Sequence, residues 1–251
     1  RQTRDREAYL RPRLDSIHAR TRYPQYEISV VDNGSTDPDT LAFLAALETE
    51  APWAGRARVI DLPEEFNWSA GANAGAAVAN GDYLLFLDND TYVVHEEWLD
   101  RLLGIAQRSD VGIVAPRLTY AETAKVQHTG WVLGLGGSAG SPWNNTTGIT
   151  EPCYMDRALC DQEVSAVSGS ALLVRRSLFA QLGGMDAARY PLIHGALDLC
   201  LRTGEAGSRI VWTPYSTLVH FNGVSMHASQ RTPEGMLRFI IESRSANDRL
   251  L

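Results

Sequence analysis

Cysteine is scarce in this sequence. Its 251 residues hold three, Cys153, Cys160 and Cys200, with no Cys-x-x-Cys spacing, which argues against both a disulfide framework and a zinc knuckle and favours a reducing compartment. No apolar run approaches the roughly 20 residues a membrane-spanning helix needs, and the opening RQTRDREAYLRPR has no signal-peptide core. Positive charge is also in deficit, with 23 Lys and Arg against 30 Asp and Glu, a formal net charge of -7. Nucleic acid is therefore excluded as a general partner, because phosphate backbones are held by an excess of cations. Any phosphate this chain binds must be met locally or with the help of a metal.

What is present is globular in character: 44% apolar and 21% charged residues, enough to bury a core within one large domain. Strand-like segments EISVVD (27–32), ARVIDL (57–62), DYLLFLD (82–88), GIVAP (112–116), SGSALLVRR (168–176) and RIVWT (209–213) alternate with helical patterns near 6–20, 38–49, 69–80, 95–108 and 197–206. That alternation predicts an α/β fold with a mainly parallel central sheet flanked by helices. The helix from Ser69 is built of Ala and Gly, so it can lie close to a sheet, and Gly81 is expected to end it. The Gly-, Ser- and Asn-rich segment 130–152 reads as a long surface loop or a pair of short strands.

Two of these strands end on acids. LLFLDNDT runs four apolar residues into Asp88 and Asp90; since side chains alternate along a strand, both carboxylates can point to one side and meet one cation. Ligands gather beyond the carboxyl ends of strands in open α/β sheets, and Mg²⁺ or Mn²⁺ favours such oxygen donors alongside a substrate diphosphate. On spacing alone, a turn that caps a helix near His95 is an equal account. The second acid, Asp32, precedes Asn33-Gly34-Ser35-Thr36-Asp37; Asp32 could accept from a base ring N–H, while Ser35 and Thr36 could cap the next helix or hold a ligand.

The segments VVDNGSTD (30–37), FNWSAGANAGAAVANGDYLLFLDND (66–90), GGMD (183–186), DLCLRTGEAG (198–207) and RIVWTPYSTLVH (209–220) together resemble family 2 glycosyltransferases of GT-A fold. More narrowly, they are similar to bacterial enzymes of O-antigen and other surface polysaccharides, rhamnosyltransferases among them. The resemblance implies transfer from a nucleotide diphosphate sugar donor to a saccharide or lipid-linked saccharide acceptor, with inversion. It makes Asp88 and Asp90 the metal-holding DxD pair and His220 a residue that completes the metal or diphosphate site. Asp32 becomes the nucleobase acid, and Thr3, Arg4, Asn33, Ser35 and Asn73 join Asp88 as the lining of the nucleotide pocket. It also implies a cytoplasmic protein, peripheral at the inner face of the membrane where a lipid-linked acceptor would be met.

Three departures qualify the resemblance. Aligning DLCLR places Ala196 where the family carries its general base, and a methyl group accepts no proton; His194 and Asp198 are the candidate substitutes, although Asp198 can instead pair with Arg202 one helical turn on. The alternative function is a non-catalytic module that binds a nucleotide sugar or scaffolds a larger polymerase. Secondly, the apolar first strand expected before TRDR is missing, which implies that the natural protein extends upstream. Thirdly, FNGVSMH follows His220 where the family more often has His-His-Glu-Ser. The expected organisation is a single domain over 1–251, with a nucleotide-binding half to about 116, an acceptor-binding half over 117–232 and a C-terminal helix over 233–251. GLGGSA (134–139) fits a loose dinucleotide pattern but no helix can follow it. Trp131, Trp143 and Tyr154 could stack on a sugar or pack their loop, and His128 is expected to satisfy a local hydrogen bond.

Overall fold

The computed structural model describes residues 2–5, 7–137 and 139–221; the helix expected over 233–251 lies outside them. The chain starts with a two-residue strand β1 (Gln2–Thr3) and α1 (Glu7–Arg20), then β2 (Ile28–Asp32), α2 (Pro38–Thr49), β3 (Ala57–Asp61), α3 (Trp68–Val78), β4 (Tyr83–Leu87), β5 (Thr91–Val93) and α4 (Trp98–Ala106). After β6 (Val111–Tyr120) come β7 (Val126–His128), the small hairpin of β8 (Val132–Leu133) and β9 (Ala139–Gly140), β10 (Gln162–Glu163), β11 (Ala171–Arg175), α5 (Arg176–Gln181), α6 (Gly195–Glu205) and β12 (Arg209–His220).

Local chemistry sets the helix starts. Asp37 accepts from Thr40 N at 2.8 Å with Pro38 following, so Asp37, rather than Ser35 or Thr36, caps α2. Asn67 accepts from Ala70 N at 2.8 Å and caps α3 in the same way. The buried face of α3 is Ser69, Gly71, Ala72 and Gly75, whose small side chains bring the backbone close to the strands. This helix ends at Val78 with Ala79 as its C-cap, before Gly81.

The sheet is mixed rather than mainly parallel. β1, β2 and β3 form one parallel three-stranded sheet. In the seven-stranded sheet the order is β10-β12-β6-β11-β4, with β5 on β12 and β7 on β6, and only β6 and β12 are parallel. Apart from the turn that joins β4 directly to β5, the helix-strand alternation holds as far as β6. Beyond it the Gly- and Asn-rich segment carries the chain back along the sheet, so β11 enters antiparallel between β4 and β6 without a helical crossover.

Alternate residues of β11 feed two apolar clusters: Ala171 and Leu173 join Trp98, Leu102 and Leu118, while Leu172 and Val174 join Trp212, Leu199 and Ile113. Each Leu, Ile or Val among them stabilises the fold by about 1.5–3 kcal/mol when fully buried. Between β2 and β4 runs a cavity of about 490 Å³, walled by Arg13 and Ile17 of α1 and by Ala72, Gly75 and Ala76 of α3. Gln2–Thr3 reaches only the far end of β2, pairing with Val31 and Asp32. The apolar region expected of a first strand before TRDR is missing from this chain, and Gln2–Thr3 forms a two-residue strand at its end. No described helix is long and apolar enough to cross a membrane.

Candidate metal and nucleotide site

The chain leaves β4 at Asp88, whose N–H donates to Ser170 O at 3.0 Å. Thr91 then closes a tight turn, donating to Asp88 O from its N–H at 3.2 Å and from Oγ1 at 2.7 Å. This turn leads directly into β5, and β5 pairs antiparallel with β12 so that Thr91 stands opposite His220. Phe221 N donates to Asp90 O at 2.9 Å and fixes the corner. His220 Nε2 thereby lies 3.1 Å from Asp90 Oδ1 and 4.0 Å from Asp88 Oδ2. The turn does not cap a helix: α4 begins at Trp98 behind Glu97, which makes no side-chain cap bond.

The ligand atoms of Asp88, Asp90 and His220 all lie within 4.8 Å of one another. Asp90 and His220 are buried, whereas the Asp88 side chain keeps 30% of its exposure. Two carboxylates and an imidazole nitrogen on one partly open corner suit a divalent ion such as Mn²⁺ or Mg²⁺ that keeps further positions for water or phosphate oxygens. Two neighbours shape the pair of acids. Trp68 Nε1 donates to Asp88 Oδ1 at 3.3 Å. Arg13, in the middle of α1, is buried with its Nε and Nη1 lacking hydrogen-bond partners; burial lowers its pKa to about 10 against the opposing pull of Asp88 and Asp90. At neutral pH it remains a cation whose field reaches both acids.

The residues expected to line a nucleotide pocket lie mainly on the loops after β1 and β2. Thr3 is buried and pairs with Asp32, and Asn33 N donates to Thr3 O at 2.7 Å. Asp32 is itself buried and accepts from Ser35 N and Ser35 Oγ, across a turn that Gly34 permits with φ +72°. Asp5 accepts from Thr36 N and Asp37 N at 2.7 and 2.8 Å, and these backbone bonds hold its carboxyl below the usual carboxylate range. Arg4 is exposed beside this loop. Asn33 and Asn73 serve the scaffold: Asn33 Nδ2 donates to Leu62 O and Glu64 O, and Asn73 exchanges two 2.8 Å bonds with the Met185 backbone. Both amide atoms of Asn73 and the Nδ2 of Asn33 are thus engaged with main-chain groups.

At the head of α6, Ala196 is buried at 5% exposure. A Cβ placed on Gly169 would stand 3.1 Å from the Ala196 methyl and 2.7 Å from the Trp68 indole, so these three groups form one packed wall. Asp198 is buried and locked to Arg202, with Oδ2 2.7 Å from Nε and 2.6 Å from Nη2, while Arg202 also donates to Leu182 O and Gly184 O. Its Oδ2 is engaged in this interior ion pair, the pairing with Arg202 one helical turn on that the spacing allows. His194 occupies the N-cap with φ 60°, half-buried; its Nε2 has no partner and burial lowers its pKa. His128 Nε2 accepts from Ser168 N at 3.2 Å, the local bond expected of it. Trp131 packs edge-on to His128, whereas Tyr154 is 73% exposed.

Three neighbours of the site escaped the reading of the sequence. Arg13 carries one detectable sign, a charge set within the apolar stripe of Leu10, Leu14 and Ile17. Trp68 lies inside a quoted motif without marking itself. Gln127, whose Oε1 is 2.8 Å from His220 Nδ1, gives no signal at all.

Comparison with known proteins adds to this geometry. The model of "Glycosyl transferase family 2" matches residues 3–183. The O-antigen biosynthesis protein RfbC of Myxococcus xanthus is 37% identical over 229 residues, which is 90% of this chain and 17% of that protein. This chain spans a quarter or less of the length of the first two curated relatives it matches. Among solved structures, GalNAc-T7 with UDP, GalNAc and Mn²⁺ superposes with a TM-score of 0.67 at 16% identity, covering 87% of this chain and 42% of that one. A mannosyltransferase from Pyrobaculum calidifontis in complex with GDP-Man and Mn²⁺ gives 0.64 at 16% identity, covering 99% and 71%.

Proposed function

Because the chain belongs to glycosyl transferase family 2 and has the GT-A fold, we propose that it transfers a sugar from a nucleotide diphosphate donor to a saccharide or lipid-linked saccharide acceptor, with inversion. The observation that carries this reading is the convergence of Asp88, Asp90 and His220 within 4.8 Å. When bound there, Mn²⁺ or Mg²⁺ supplies a Lewis acid that offsets charge on the departing nucleoside diphosphate. Asp88, the most exposed of the three, faces the donor, and Asp90 and His220 anchor the ion from the buried side. Asp32, Ser35, Thr3 and Arg4 form the nucleoside end, with Asp32 accepting from the base. His194 takes the acceptor's proton, which requires that acceptor binding uncover its Nε2, buried and unpartnered in this structure. A role in surface polysaccharide synthesis is in keeping with the name of the Myxococcus relative, and a lipid-linked acceptor would bring the protein to the cytoplasmic face of a membrane.

A second reading rests on Ala196. The position that carries the base in the family is filled here by a methyl group packed against Trp68 and Gly169, and Asp198 is spent on Arg202. On that reading the chain holds the donor without turning it over. Loss of a general base costs about 10²–10⁴-fold in rate, so binding can survive where transfer does not.

Nucleoside diphosphate release from a panel of nucleotide sugars with Mn²⁺ or Mg²⁺, measured beside calorimetric binding, tests both. Turnover by the unaltered chain that His194→Ala removes supports transfer with His194 as base. Binding with turnover appearing only in Ala196→Asp supports the donor-holding module. No metal-dependent binding of any donor overturns both.

A further inference from the structure

Strand β7 contains one residue more than its partner can accommodate. Leu118 of β6 faces His128 and Thr119 faces Val126, so Gln127 has no opposite number and forms a bulge. Bulges re-aim a side chain, and they recur beside active sites. Here the backbone around it is tied down on the outer side: Asn144 Nδ2 donates to Gln127 O at 2.9 Å, Asn145 N to Val126 O at 2.8 Å and Val126 N to Thr147 O at 2.8 Å. The half-buried carboxamide that results is directed across the sheet to His220, with Oε1 2.8 Å from Nδ1.

We infer that Gln127 is the positioning residue of the metal site: as an acceptor it keeps the His220 proton on Nδ1 and turns the bare Nε2 toward Asp88 and Asp90. The chemistry follows from what each atom can do. A carboxamide oxygen only accepts, so the ring nitrogen it meets must carry the hydrogen. In the neutral ring the other nitrogen then offers a lone pair to the corner where two carboxylates already point, 3.1 and 4.0 Å away. Three electron-rich atoms facing one another are unfavourable by themselves and favourable around a divalent cation. Histidines that ligate metals are held in this way by a second group on the far nitrogen, and loss of that group typically costs about 10–100-fold in metal affinity. The inference rests on the proposal that Asp88, Asp90 and His220 hold a metal.

The test is Mn²⁺ binding to the full chain, followed through the EPR signal of free Mn²⁺ during titration with MnCl₂, with thermal melting on the same samples. Gln127→Leu is expected to weaken binding by about 10–100-fold, and Gln127→Glu, which can only accept, is expected to stay near the unaltered protein. Gln127→Met carries the same expectation as Gln127→Leu should the latter fail to fold. Unchanged affinity in the apolar variants overturns the inference. So does equal loss in Gln127→Glu, which would make the amide a donor or a mere packing group. His220→Ala separates the two layers: if it weakens Mn²⁺ binding and Gln127→Leu does not, only the inference falls, and if the unaltered chain binds no Mn²⁺ the metal reading falls with it.

Discussion

His220 Nε2 stands 3.1 Å from Asp90 Oδ1 although 130 positions separate the two residues in the chain. The contact is made by β5, a strand of three residues that follows the Asp88–Thr91 turn at once and pairs with the last residues of β12. Asp90→Asn keeps the shape of the turn and removes one charged ligand. It is expected to weaken Mn²⁺ binding by at least 10-fold with a folded circular dichroism spectrum, and unchanged Mn²⁺ affinity would remove Asp90 from the site.

Arg13 is buried, charged and short of partners at Nε and Nη1. Removing one member of a buried group of opposite charges leaves the others uncompensated and typically costs about 3–5 kcal/mol. Arg13→Met, which leaves Asp88 and Asp90 in place, is therefore expected to lower the denaturation midpoint. It also removes a positive field from Asp88 and Asp90, so Mn²⁺ should bind more tightly by calorimetry. A weaker metal affinity would show instead that the guanidinium holds the acids in place.

Asn73 spends both ends of its amide on the Met185 backbone. Asn73→Ala leaves a main-chain donor and acceptor without that partner, and is expected to cost about 1–3 kcal/mol in urea unfolding. Donor affinity should be unaffected. A selective loss of nucleotide binding at unchanged stability would return Asn73 to the nucleotide pocket.

His128 gives the fold an acid limit. Burial first, and the nearby His220 second, lower its pKa from 6.5 to about 3. The unfolded chain takes up the proton first as pH falls, so the stability this neutral ring contributes is complete above pH 6.5 and drains away between there and about 3, at up to about 1.4 kcal/mol per pH unit. His95 and His194 are shifted the same way by burial. His128→Gln should flatten the slope of unfolding free energy against pH in that window, measured by urea titration at several pH values.

Much of this was open to reading because strand ends announce themselves. Asp32 and Asp88 each close an apolar run, and alternation along the strand puts Asp90 on the same side as Asp88; the family motifs then supply His220. Partners brought in by long-range pairing leave no such trace. Gln127 meets His220 through a bulge, and a bulge is a mismatch between two strands that neither strand shows alone. Sheet direction is hidden for a related reason: a run such as Ala171-Leu172-Leu173-Val174 is buried on both faces whichever way it runs, so its composition does not reveal that β11 is antiparallel to both neighbours. Asn73 has the residue type of a ligand-binder, and its commitment to Met185 depends on a turn at Gly184 with φ +74° that lies far along the chain.

The antiparallel pairing of β5 with β12 bears on the order in which the acidic corner is assembled. Asp88 and Asp90 share one turn, whereas His220 is separated from Asp90 by 130 positions and is brought to it only where β12 lies against β5. Contacts of such large sequence separation must meet their loop-closure entropy before they are rewarded, so they form slowly. The two carboxylates come together first and the imidazole closes the corner behind them. A metal ion held there would be captured late in refolding, after the helical signal has recovered.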